Sequence, residues 1–451
     1  MKKILFTLIT AVLILSPLKS QTIINRDPEI KKMVDEISRE RIEQTVRKLV
    51  SFHTRHNLSE QNNPQQGIGA AWNWIKAEME KNIPASEGRL TVMFDDYTVG
   101  GPGQRIKTET KLRNVIAILK GTDPSDDRKI LISAHLDSRA ALDNDNTGFA
   151  PGANDDGSGI AAVLELVRIM SSRKFPATII FMAVSGEEHG LYGSKHIAEK
   201  AKNEGWNIVA MLNNDMIGNS GSSETLLNDN MKVRVFSEGV PAFETEAMAS
   251  SRKYTSAEND SRSRQLARYI KETAGRYVEQ LDVTLVFRND RFGRGGDHTP
   301  FCQNGFTAVR ICEFNENYDR THKIPAVVNG IQEGDLPEYV DYEYVRKNAG
   351  VNLSVIANLA LAPYEPADCK VIVTGLTNKT TLKWSDPLKG NKPAGYYILM
   401  RETYQPLWEK KIYVTGNEVT LPYSKDNYFF AIQSADAAGH ESLAVFPGAG
   451  R

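Results

Sequence analysis

Four short stretches place ionisable side chains where an apolar run ends: AHLDS at 134–138, PGANDDGSG at 151–159, SGEEHGLYGS at 185–194 and NNDMIG at 213–218. Each has an ordinary reading by itself. A His-x-Asp pair such as His135 and Asp137 is a common polar end of a strand, Asp and Asn cap helices routinely, and one carboxylate after a strand, Asp215, is unremarkable. Two adjacent glutamates, Glu187 and Glu188, repel unless one of them meets a cation. Buried carboxylates are costly without compensation, so the set is either a solvated loop cluster or a metal site. Open parallel sheets collect ligands at the carboxyl ends of their strands. Four consecutive strand ends or strand–helix junctions carrying His, Asp or Glu are therefore expected to converge on a cation.

The elements that would deliver them follow from hydrophobic periodicity. Residues 27–60 read as helix, with Asp27 as cap before Pro28, and 67–82 as a second helix. RLTVMF, LRNVIAILKG, RKILISAHLDS, TIIFMAVSGEE and NIVAMLNNDMIG read as strands, while GSGIAAVLELVRIMSS, GLYGSKHIAEKAKNEG and SRSRQLARYIKETAGRYVEQL read as helices. Apolar strands alternating with amphipathic helices predict an α/β fold, a mixed, mostly parallel sheet sandwiched by helices. Residues 219–262, rich in Ser, Asn and Glu, read as an irregular insertion. After residue 363 helical patterning stops, and short β-type runs with turns predict a C-terminal all-β sandwich. Trp384, GYYILMRE and YFFAIQSADAAGHES make residues 366–451 resemble a fibronectin type III domain. The expected division is thus a leader at 1–20, an α/β unit at 21–363 and this sandwich at 366–451.

A net charge of −1 across 451 residues gives no electrostatic case for nucleic acid. MKK, then ILFTLITAVLIL, then SPLKS form a signal peptide pattern, cleaved near Ser20, so the mature chain is expected to be exported, periplasmic or secreted. No later stretch is long and apolar enough for a transmembrane segment. Three cysteines make no disulfide framework, which leaves a Cys302–Cys312 bridge or buried free thiols.

Taken in order, the four motifs resemble the M28 family of dinuclear zinc peptidases, which includes bacterial secreted aminopeptidases. RNVIA before them and GGDHTPF after them strengthen the likeness, which spans roughly 30–360. The resemblance implies two zinc ions, with cobalt or manganese as substitutes. It assigns His135 and Asp215 to one metal, Glu188 to the other, Asp155 as the bridge and Glu187 as general base. A cis peptide between Asp155 and Asp156 is implied as well. The last ligand falls in NENYDRTHKIP, hence His322, although Lys323 departs from the usual Thr there. His298 in GGDHTPF is the competitor, and with Asp297 it is expected behind the ligands or facing substrate. Asp137 is expected to orient His135. The tyrosine that steadies the oxyanion in these aminopeptidases has no counterpart, and Arg294 and Tyr318 are the candidates to replace it.

The leading expectation is an aminopeptidase acting on peptides. Carboxypeptidase-type members need a base for the terminal carboxylate, for which Arg139, Arg291, Arg294 and Arg310 are candidates. A glutaminyl cyclase-like acyltransferase shares the scaffold. A non-catalytic binding protein would have lost Glu187 or a ligand, and all are present. His53, His56, His189, His196 and His440 are expected on the surface or on helices.

Overall fold

The computed structural model describes residues 26–450; the expected leader at 1–20 lies outside the described residues. Eight strands form the central sheet: β1 (Leu90–Val99), β2 (Thr110–Leu119), β3 (Arg128–His135), β4 (Thr178–Val184), β5 (Asn207–Asn214), β6 (Lys232–Phe236), β7 (Asp282–Val286) and β8 (Ala308–Glu313). Their order is β1-β2-β4-β3-β5-β8-β6-β7. The pairs β3–β4, β3–β5, β5–β8 and β6–β7 are parallel, and β1–β2, β2–β4 and β6–β8 are antiparallel. The mixed, mostly parallel expectation therefore holds.

Nine helices among the described residues surround it: α1 (Pro28–Asp35), α2 (Arg39–Val50), α3 (Gly67–Glu80), α4 (Gly157–Met170), α5 (Tyr192–Asn203), α6 (Glu246–Thr255), α7 (Arg262–Tyr277), α8 (His298–Gln303) and α9 (Tyr342–Leu361). Alternation along the strands sorts residues to two faces. Ile130 and Ile132 join the larger core with α1, α2, α4, α7 and α9, while Leu131, Ile180 and Met211 pack with Ile197 of α5 and Phe301 of α8. Burial on both faces explains why the central strands read as continuous apolar runs.

Two expectations need correction. The helix at 27–60 is two helices, broken at Glu36–Ser38, and it ends at Val50. Ser38 caps α2 through its hydroxyl, and the buried Glu165 of α4 takes the Ser38 amide and the Arg41 guanidinium. Residues 219–262 are not wholly irregular, since they contain β6 and α6. Of the two alternatives left open for the cysteines, the structure has buried free thiols.

A hairpin of β9 (Ala326–Val328) and β10 (Ile331–Glu333) follows the last strand of the sheet. Beyond α9 lie β11 (Ala367–Ile372), β12 (Thr380–Ser385), β13 (Gly395–Glu402), β14 (Lys410–Val414), β15 (Glu418–Leu421), β16 (Tyr428–Ala435) and β17 (Gly448–Gly450). They form a four-stranded sheet, β15-β12-β11-β17, and a three-stranded sheet, β14-β13-β16. Leu382 and Trp384 of the first share a core with Tyr396, Ile398 and Ile432 of the second, so the two sheets pack face to face as expected of a sandwich.

Buried ion pairs tie this sandwich to the α/β unit. Arg401 reaches Asp260 at 2.6 Å, and Arg268 reaches the same carboxylate at 3.1 Å. Glu441 is fully buried against Arg276 and Lys411. Removing the shared carboxylate would strand both guanidiniums, so Asp260→Ala is expected to lower unfolding stability by about 3 kcal/mol. A urea midpoint unchanged from the parent protein would show that these pairs contribute nothing.

Candidate active site

β4, β3 and β5 are neighbours and parallel, with His135 paired to Val184 and Ser133 to Asn213. Their carboxyl ends therefore stand side by side, and the chain leaving each one brings His135, the pair Glu187 and Glu188, and Asp215 to one rim. α4 begins at Gly157, immediately after Asp155 and Asp156, and adds its amino end to the same place. His322 arrives from the segment between β8 and the hairpin. A cis peptide joins Asp155 to Asp156, as the resemblance implied.

The donor atoms of His135, Asp155 and Asp215 lie within 4.8 Å of one another, and so do those of Asp155, Glu188 and His322. Asp155 belongs to both groups. Its Oδ1 is 3.0 Å from His135 Nε2 and its Oδ2 is 2.9 Å from His322 Nε2. His322 Nε2 is also 2.9 Å from Glu188 Oε1. His135 Nδ1 is 3.0 Å from the Asp137 carbonyl, which can only accept, so that nitrogen carries a proton and Nε2 is the ring nitrogen turned toward Asp155.

Electrostatics in this cluster are those of crowded acids. Burial raises Glu187 well above the usual carboxylate range, and Asp215, Glu188 and Asp297 add to the effect. Burial likewise raises Asp156 and Asp215. Burial opposes ionisation of Asp155 too, but hydrogen bonds to His135 and His322 outweigh it and hold that carboxyl well below its ordinary value. His322, though burial opposes its charge, is pushed up to about 10 by Glu188 and Asp155. Oxygen and imidazole donors packed this way suit zinc, and divalent cations would offset the repulsion among the carboxylates. The residues present fit the two-metal set that the resemblance implied.

Supporting contacts differ in part from expectation. Asp137 orients His135 through its backbone carbonyl; its carboxylate, 3.7 Å from Nδ1, is too far for a good hydrogen bond. That carboxylate instead accepts the amides of Glu187 (3.3 Å) and Glu188 (3.1 Å) and the side-chain amide of Asn57 (2.6 Å), fixing the glutamate turn. His298 is buried, with Nε2 2.8 Å from the Asn289 carbonyl, and belongs to neither donor group. Asp297 is buried, its pKa raised by burial to about 7. A cavity at this cluster is lined by Arg294 but not by Tyr318, which is more than half exposed.

Several positioning residues escaped the sequence reading. Asp156 receives the amides of His135 (3.1 Å), Met216 (3.3 Å) and Gly159 (3.0 Å), so one carboxylate ties β3, β5 and α4 together. The DD doublet was its only signal. Asp335 accepts the amides of Asn154 and Asp155 at 2.8–3.0 Å. Arg55, fully buried, donates to the carbonyls of Leu136, Pro151 and Gly152. Gly152 has φ +50°, and a Cβ there would meet the Asp155 carbonyl and Ser138 at 2.6 Å. Its backbone is therefore free to pass where no side chain fits. His322 and Met216 also adopt left-handed φ, 56° and 57°, uncommon for residues other than glycine and frequent at functional sites. His56 and His189 are buried against each other, contrary to the expected surface or helix placement, and both reach the Asp143 carbonyl. His440, also buried, bonds Asp436 and Asp27.

Shared carboxylates and imidazoles at the strand ends of a mixed sheet are the mark of a metal-dependent hydrolase. The profile of peptidase family M28 matches residues 114–333. A probable zinc metalloprotease of Leptosphaeria maculans is 42% identical, the match covering 93% of this chain and 97% of that one. Another, of Pyrenophora tritici-repentis, is 39% identical over 93% of this chain and 98% of its own length. The chain belongs to peptidase family M28 and is a zinc metallopeptidase. Coverage of 93% is more than residues 1–363 alone can supply, so these matches extend into the C-terminal sheets.

Among solved structures, the LapA aminopeptidase of Legionella pneumophila superposes with TM-score 0.54 at 20% identity, covering 81% of each chain. A leucine aminopeptidase precursor of Bacteroides thetaiotaomicron gives TM-score 0.50 at 18% identity, over 74% of this chain and 99% of that one. Both share the fold. No helix among the described residues is long and apolar enough to cross a membrane.

Proposed function

We propose that the protein is an exported, dinuclear zinc aminopeptidase that releases N-terminal residues from peptides. The observation that carries the dinuclear reading is the position of Asp155, whose two carboxylate oxygens face His135 and His322 separately. His135 and Asp215 would hold one ion, Glu188 and His322 the other, with Asp155 between them. Zinc held there would polarise the scissile carbonyl and acidify the attacking water. Glu187 lines the cavity beside these donors and is left free to act as base: its carboxylate accepts the water proton and delivers it to the leaving amine. Burial raises the basicity of Glu187, which suits a group that takes up a proton and passes it on. Asp137 keeps both glutamates in place by holding their amides.

Cleavage at the amino end is placed first because the M28 resemblance and the names of the two solved fold relatives point that way. The N-terminal pattern of charge, apolar run and polar exit supports export. The C-terminal sandwich, read as fibronectin type III-like, would serve as a docking module, in keeping with its buried ion pairs to the catalytic half. A panel of aminoacyl amides, N-blocked dipeptides and N-terminal glutaminyl peptides tests the activity. Turnover of the free-amine substrates is expected, whereas exclusive cleavage of N-blocked substrates, or cyclisation of glutamine, would replace the aminopeptidase reading.

A further inference from the structure

β8 runs between β5 and β6, and its Arg310 is paired with Asn213 on one side and with Phe236 on the other. The Arg310 side chain is fully buried. A guanidinium keeps its charge at any ordinary pH, so it is tolerated inside a protein only against anions and carbonyls. Arg310 meets both. Its Nη2 is 2.9 Å from Asp215 Oδ1. Its Nη1 is 3.1 and 3.2 Å from the two carboxylate oxygens of Asp290 and 3.0 Å from the Gly295 carbonyl. One planar fork therefore joins a member of the metal-facing cluster to the segment that supplies Arg291, Gly293, Arg294 and Gly295 to the cavity wall.

Arg310 itself does not line the cavity, and both of its terminal nitrogens are engaged, so it is not available to a substrate. What it controls is Asp215. The oxygen it holds, Oδ1, is also the one 3.9 Å from His135 Nε2. The other outer carboxylate is supported differently. Arg139 donates to Glu188 Oε2 at 2.8 Å from a side chain that is 19% exposed, while Glu188 Oε1 faces His322. Water can stand in for a partly exposed donor. Asp215 is buried, and without Arg310 its carboxylate would lose the cation that compensates it.

We propose that Arg310 is a positioning residue for the metal centre. It keeps Asp215 aimed at His135 and ties it to the cavity wall, so that the ion between His135 and Asp215 is held tightly only while the guanidinium fork is intact. The inference rests on the two-metal reading and extends it to a residue outside the ligand set. Hydrogen-bonded partners of a ligating side chain are worth about 10- to 100-fold in metal affinity.

Chelator competition followed by zinc analysis gives the two dissociation constants of the zinc-loaded protein and of its Arg310→Lys variant. Lysine keeps the positive charge but has no fork to span Asp215 and Asp290, so the comparison isolates positioning from charge. One constant should rise by about 10- to 100-fold and the other should stay at its parent value. In the His322→Ala background the ion at His135 and Asp215 is the one expected to remain, and Arg310→Lys should weaken it by the same factor. Asp290→Asn re-aims the guanidinium while leaving Arg310 and Asp215 in place, and it should weaken the same ion by a smaller factor. That variant decides the matter if Arg310→Lys does not fold. A folded variant with parent-level constants, or one that weakens both ions equally, would overturn the proposal and leave the two-metal reading intact. A parent protein that binds fewer than two ions would overturn the two-metal reading itself.

Discussion

Glu187→Gln is expected to lower kcat/KM by about 10²- to 10⁴-fold, the contribution typical of a positioned general base, while zinc content stays at the parent value. The amide keeps the size and the polar contacts of the carboxylate but accepts no proton. Glu187 is not one of the five clustered donors, and the turn that carries it is held by backbone amides on Asp137, so the substitution should not disturb the neighbouring Glu188. Zinc analysis alongside steady-state kinetics separates the two effects. Parent-level turnover would remove Glu187 from the chemistry, and loss of zinc with loss of turnover would make it a ligand instead.

The second large effect is expected at Asp155. Asp155→Asn preserves side-chain volume, and Asp335 continues to hold the backbone amide, but the anionic bridge is gone. In the proposed two-metal centre both ions would share that carboxylate, so zinc would fall from two per chain to well below one, and hydrolysis should become undetectable. His322→Ala touches one donor group only, and about one ion per chain should remain. Unequal losses of this kind separate a shared ligand from a terminal one. If both variants lose the same single ion, Asp155 is not a bridge; if His322→Ala loses none, the ligand must be sought elsewhere.

The strands that carry the site were readable because burial on both faces gives parallel central strands long apolar runs, which end where the polar donors begin. The ordered motifs placed His135, Asp155, Glu188 and Asp215 at those ends, and the same order located His322 despite Lys323 beside it. The supporting residues were far less legible. Arg55 sits in a stretch whose periodicity suggested helix, yet it holds carbonyls more than 80 residues away. Asp335 lies 180 residues from the amide it fixes. His56 and His189 looked like ordinary polar positions, but contacts across the fold, with each other and with the Asp143 carbonyl, hold them in the interior. Asp137 illustrates the same limit at short range: spacing placed it beside His135 but could not tell its carbonyl from its carboxylate. The break between α1 and α2 arises from Glu165 on a distant helix, a partner that local propensity does not register.

Diffraction at the zinc absorption edge on crystals of the zinc-loaded protein tests the two-metal centre most directly. The expected result is two anomalous peaks about 3.5–4 Å apart, one contacting His135 and Asp215, the other Glu188 and His322, with Asp155 touching both. A single peak, or a pair that leaves Asp155 uncoordinated, would contradict it.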